Sequence, residues 1–231
     1  MAAVTLGVTS VDTNNTNSYA TGAFTPAAND LLVAFVAAPA TVATGTMTDS
    51  QSLGFTKVTS ALGNSSADTG YLFVANALAA ASSMTVTFDC TGDNATGAAI
   101  NVFLVSGMTR VGTSAVLQTA KAENQGAGGT PAATFGASCL TGNPTIGMVA
   151  NAANPAALTF PTNWIERDDT GFANPTRGME TVSRDSGFTG TTITWGGTSA
   201  TAFLVLIAEL DTSVAQSVVP VLMRQYRERR S

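Results

Sequence analysis

Charge is what this sequence has least of. Asp, Glu, Lys and Arg make up 11% of its 231 residues, against about 25% in an average soluble protein. Histidine is absent, lysine occurs only at Lys57 and Lys121, and cysteine only at Cys90 and Cys139. Without an imidazole, no Ser-His-Asp or Cys-His nucleophile and no histidine metal ligand can be built. Two cysteines do not make a disulfide scaffold. Pairing between them stays open beside the plainer expectation of two buried free thiols. Long apolar runs are missing too. The longest, 31–38 and 202–208, fall well short of the ~20 residues that cross a bilayer as a helix, so no membrane partner is expected. The first residues carry no Lys or Arg and no continuous apolar stretch, and no signal peptide is read there.

The charge that is present is unevenly placed. Net charge is −5, yet Arg224, Arg227, Arg229 and Arg230 against Glu228 give +3 within the last eight residues and leave −8 for the rest. An acidic body argues against wrapping nucleic acid, which requires basic surface to release counterions. The basic end is a separate feature.

What the chain does have is β pattern. Short apolar or alternating segments recur between small-residue turns: 4–11, 31–38, 55–62, 71–78, 84–89, 100–106, 114–121, 132–136, 145–150, 164–168, 179–184, 191–195 and 202–210. Met84-Thr-Val-Thr-Phe88 and Thr191-Thr-Ile-Thr-Trp195 alternate strictly, with threonines on one face. Turns such as Gly-Asn-Ser-Ser and Gly-Gly-Thr-Pro separate them. Short strands at this spacing specify an all-β sandwich or barrel.

The chain also echoes itself. Asn29–Ala37 is answered by Asn143–Ala150, Gly54-Phe55-Thr-Lys-Val by Asn163-Trp164-Ile-Glu-Arg, and Gly70–Ala75 by Gly178–Ser183; Met84–Phe88 matches Thr191–Trp195, and Val102–Val105 matches Leu204–Ile207. Two related strand series, about 25–107 and 140–210, then share one core within a single sandwich over 1–211. Residues 212–231 form a C-terminal extension.

These pieces resemble a family of phage and metagenomic virion proteins of about 200 residues. The resemblance rests on Asn29–Ala34, Met47-Thr-Asp-Ser-Gln51, Gly54–Val58, Tyr71–Ala77, Thr85–Phe88 and Ala99–Gly107. It implies a jelly-roll-like β-sandwich carried on a phage particle as a capsid decoration or tail-associated component, located in the virion. By the same analogy its partners are copies of itself, most simply as a trimer, and the major capsid protein.

Glu166, Asp168 and Asp169 beside Arg167 form the one dense acidic cluster, with Glu166 and Asp168 expected on a shared strand face. Its plain meaning is a charged edge that blocks strand pairing, and a glycosidase pair is the alternative. Asp89-Cys-Thr-Gly-Asp93-Asn94 lacks the spacing of a calcium loop. Gly126-Ala-Gly128-Gly129 lacks the Lys and helix start of a phosphate loop. No catalytic set, metal site or cofactor is expected. Trp164 and Tyr71 are candidate sugar-stacking residues if exposed and core residues otherwise. They carry the alternative function, a carbohydrate- or receptor-binding module of tail-fibre or adhesin type. The last candidate is the extension itself. Pro220 suits a helix start, which puts Leu222 and Tyr226 on one face and the arginines in the final turn. Val219, Leu222 and Tyr226, with Arg224, Arg227, Arg229 and Arg230, are thus expected to dock on a neighbouring subunit or an acidic particle surface.

Overall fold

The computed structural model describes residues 1–38, 44–63, 68–77, 82–90, 95, 97–126, 128–152, 158–172 and 177–213. They hold fifteen strands. In the first half these are β1 (Ala3–Asp12), β2 (Ser18–Ala20), β3 (Leu31–Ala38), β4 (Thr46–Asp49), β5 (Thr56–Gly63), β6 (Asp68–Asn76), β7 (Val86–Asp89) and β8 (Ala98–Ser106). A 3-10 turn at Gly112–Ala115 leads into β9 (Val116–Asn124), β10 (Ala132–Thr134), β11 (Thr145–Asn151), β12 (Ile165–Phe172), β13 (Arg177–Arg184), β14 (Thr192–Thr194) and β15 (Phe203–Leu210). The protein is all-β and antiparallel, consistent with a β-sandwich.

The strands stack in four layers. The first half makes a five-stranded sheet, β1-β8-β3-β6-β5, and a three-stranded sheet, β2-β7-β4. The second makes a five-stranded sheet, β9-β15-β11-β13-β12, and a two-stranded sheet, β10-β14. Pairing is nested in both: β1 with β8, β2 with β7 and β3 with β6, then β9 with β15, β10 with β14 and β11 with β13.

The two large sheets face each other across a middle apolar layer that includes Val33, Phe35, Phe103, Val105, Ile146, Met148, Leu204 and Leu206. Each outer sheet closes a further layer, around Leu32, Val36, Phe73 and Phe88 in the first half and Val149, Val205, Ile193 and Trp195 in the second. Strands β3 and β15 are therefore buried at all eight positions, which is why they read as continuous apolar runs rather than alternating ones. Leu32 and Val36 lie within the first half alone, while Phe103, Val105, Leu204 and Leu206 depend on both halves. At Gly70 the approach is so close that a Cβ would press into Met148 Cε and Leu204 Cδ1.

The halves also cap each other's edges. The backbone N–H of Val4 on edge strand β1 donates to Asp185 Oδ1 at 3.0 Å, and its carbonyl accepts from Arg167 Nη2 at 2.6 Å. On the opposite edge strand, β5, the Leu62 N–H donates to Glu123 Oε1 and its carbonyl accepts from Gln125 Nε2, both at 3.0 Å. Edge groups engaged in this way are not free to pair with another chain. Buried between the large sheets, Asn101 Nδ2 donates to Thr181 Oγ1 at 2.9 Å.

Candidate functional site

The site begins at a β-bulge. Glu166 is opposite Val182 and Asp168 opposite Thr181, so Arg167 is the extra residue. Neighbouring residues of β13 face opposite ways, and the bulge therefore shifts the phase of β12 by one. This corrects the expected shared face of Glu166 and Asp168. Asp168 turns toward the first half, where its Oδ2 is 2.9 Å from the Thr9 hydroxyl and also takes a hydrogen bond from Thr170. Arg167 is aimed at β1. Glu166 and Asp169 lie on the outer face, with Asp169 opposite Glu180.

Glu180 lies deepest in this face. It is 1% exposed, and neither its Oε1 nor the Trp195 indole N–H near it has a hydrogen-bond partner. Burial pushes its carboxyl up to about 7, the charges of Glu166 and Asp169 push in the same direction, and the Trp195 indole opposes them. Asp169 is also raised, by burial and then by Asp168. Arg184 shares this face of β13, but its guanidinium is turned to the carbonyls of Ser186 and Gly187. The result is three carboxylates with no cation among them.

The equivalent place in the first half is aromatic. Strand β5 carries its own bulge, at Val58, and Ser60 lies opposite Tyr71 as Asp169 lies opposite Glu180. There Tyr71 packs 5.3 Å from Phe88, centroid to centroid, with Lys57 Nζ 5.6 Å over its ring. Gly54 (φ 79°) and Asn163 (φ 66°) turn the chain into these two strands, a left-handed conformation that Gly and Asn adopt at low cost. The outer layers differ more. Thr46 and Thr48 of β4 lie opposite Asp89 and Thr87. Among the described residues of the corresponding segment in the second half, Thr159 pairs with Gly196. Two residues on, where Thr48 would correspond, stands Pro161, which has no N–H for Thr194. Glu166 and Asp169 of β12 remain exposed, whereas β13 is buried from Gly178 to Ser183.

Trp164 and Tyr71 are core residues, 6% and 1% exposed. Trp164 meets Phe188 edge-on at 5.4 Å, and Tyr71 stacks on Phe73 at 5.7 Å. Cys90 and Cys139 are not joined to each other and lie buried in the outer layers of different halves. Burial and the nearby Glu209 carboxylate push the Cys139 thiol up to about 12. A shallow hollow between the halves is lined by Ala37, Ala150 and Leu204 beside the Arg177–Asp68 ion pair (2.6 Å). Among the described residues no group of His, Cys, Asp or Glu is arranged to hold a metal ion. The tail residues Val219, Leu222, Arg224, Tyr226, Arg227, Arg229 and Arg230 lie outside the described residues, as do Asp93 and Asn94.

Sequence reasoning missed Glu180. It sits in a Met-Glu-Thr-Val alternation like any solvent-facing strand residue, and only its pairing with β12 shows it buried among acids. The class these observations define is a layered antiparallel β protein with a carboxylate-bearing outer face. Compared with models of known protein families and with curated proteins, the chain matches none.

Proposed function

We propose that this chain is a non-enzymatic structural protein of a bacteriophage particle, a homo-oligomer that decorates or cements the capsid. Each half is a jelly-roll-like unit, and the two arose by duplication of one strand series. The observation that carries this reading is the nested pairing. First strand with last, second with second-last and third with third-last is a long antiparallel ribbon rolled up on itself, the architecture of many capsid and lectin domains. Its repetition in both halves, with bulges at Val58 and Arg167 in equivalent strands, supports duplication. Composition supports assembly. With 11% charged residues, a Thr-, Ala- and Gly-rich exterior has little desolvation penalty when covered by neighbours.

The test is mass spectrometry of purified virions encoded with this chain, paired with sedimentation of the isolated protein. The expected result is a multi-copy particle component that sediments as a trimer. A protein missing from particles and monomeric at micromolar concentration would overturn the proposal.

A further inference from the structure

We infer that the outer acidic face of β12 and β13, formed by Glu166, Asp169 and the buried Glu180, is the docking site for the arginine-bearing C-terminal segment of the same molecule. The inference stands apart from the virion reading, since it concerns where the chain's own charge goes.

Residues 1–213 carry −8 and the last eight residues +3. Among the described cations, Arg110 pairs with Asp211, Lys121 with Glu123, Arg167 with Asp185 and Arg177 with Asp68. Arg184 is held by backbone carbonyls and Lys57 lies over Tyr71. No described cation is left for Glu166, Asp169 and Glu180. Within this face Glu180 Oε1 is buried and without a hydrogen-bond partner, an arrangement that favours a nearby positive charge. Guanidinium groups suit it, because their planar donor fork matches carboxylates and they desolvate more readily than ammonium.

The last described residue is Ser213, whose carbonyl accepts from the Thr109 hydroxyl at 2.9 Å and whose own hydroxyl accepts from Arg110 Nη2 at 2.9 Å. In sheet order β15 is three strands from β12, about 14 Å at normal strand spacing. Through the ladder Glu166 is level with Ile207 and Asp169 with Val205, which puts them roughly 17 and 22 Å from the end of β15. The eleven residues from Ser213 to Arg224 can extend to about 36 Å. A tether that spans its target easily holds the arginines at millimolar effective concentration, far above a second copy at micromolar concentration. The occupant is therefore the molecule's own segment.

Disulfide trapping in the full chain tests this. In D169C/R227C, mild oxidation at low micromolar protein should give a fast-migrating monomer on non-reducing gels. It should form about tenfold faster than in T48C/R227C, whose first cysteine lies on the opposite outer sheet, and high salt should slow it. The buried Cys90 and Cys139, 0% and 4% exposed, do not compete. In a cysteine-independent arm, R224S/R227S/R229S/R230S should move the Glu180 titration followed by NMR upward by roughly half a pH unit. Equal trapping at Thr48 and Asp169, a cross-linked dimer in place of the monomer, or an unmoved Glu180 midpoint would each overturn the inference.

Discussion

Replacing Glu180 by Gln should make the protein more stable at pH 8 and leave it nearly unchanged at pH 4.5. The native carboxyl titrates at about 7, against an ordinary value of 4.5. The folded state thus binds its proton more tightly than the unfolded state does. Below 4.5 both states are protonated and the site carries no penalty. Between 4.5 and 7 the unfolded chain ionises first, and stability falls with rising pH by roughly 1.4 kcal/mol per pH unit. Above 7 about 3 kcal/mol has been lost, and it stays lost. With Glu180 1% exposed, solvent does little to relieve it. Gln has the same shape without the charge, so E180Q should regain most of that ~3 kcal/mol at pH 8, less the cost of a buried amide. Among the described residues, the groups facing Glu180 are Glu166, Asp169 and Trp195. Both acids remain in the variant, so the difference between the proteins at two pH values isolates Glu180. Urea unfolding monitored by the fluorescence of Trp164 and Trp195 measures it. An E180Q advantage equal at pH 4.5 and pH 8, or larger at the lower pH, would refute the argument.

Other expectations concern packing. Leu206 is fully buried in the middle layer, and L206A should cost about 2–5 kcal/mol by urea unfolding; a cost below 1 kcal/mol would mean the halves do not depend on that layer. Gly70→Ala drives a methyl into Met148 and Leu204 and should cost roughly 1–3 kcal/mol. Part of that should return in G70A/M148A, and strictly additive effects would argue against the contact. Cys139, raised to about 12, and the buried Cys90 should both resist Ellman's reagent at pH 8 until urea unfolds the protein; a thiol that reacts at once in the native state contradicts their placement.

Local pattern determined a large part of this protein. Thirteen of the fifteen strands coincide with segments legible as alternation or apolar runs, because side-chain period and turn chemistry are properties of neighbouring residues. The two that escaped, β2 and β4, are three and four residues long, and each buries a single large side chain, Tyr19 or Met47, within polar sequence. Gly54–Val58 and Asn163–Arg167 also look alike in sequence, and each segment ends on a residue that bulges. Elsewhere the echo slipped: Gly70 and Gly178 look like partners in sequence, yet cross-strand register makes Glu180, not Met179, the counterpart of Tyr71. Register and bulges depend on partner strands far away in the chain. Only tertiary structure could therefore decide that Glu166 and Asp168 face opposite ways, that Arg167 and Glu123 cap the edges of the other half, and that Glu180 is buried among carboxylates. Burial is a property of what lies opposite, and a strand does not carry its opposite in its own sequence.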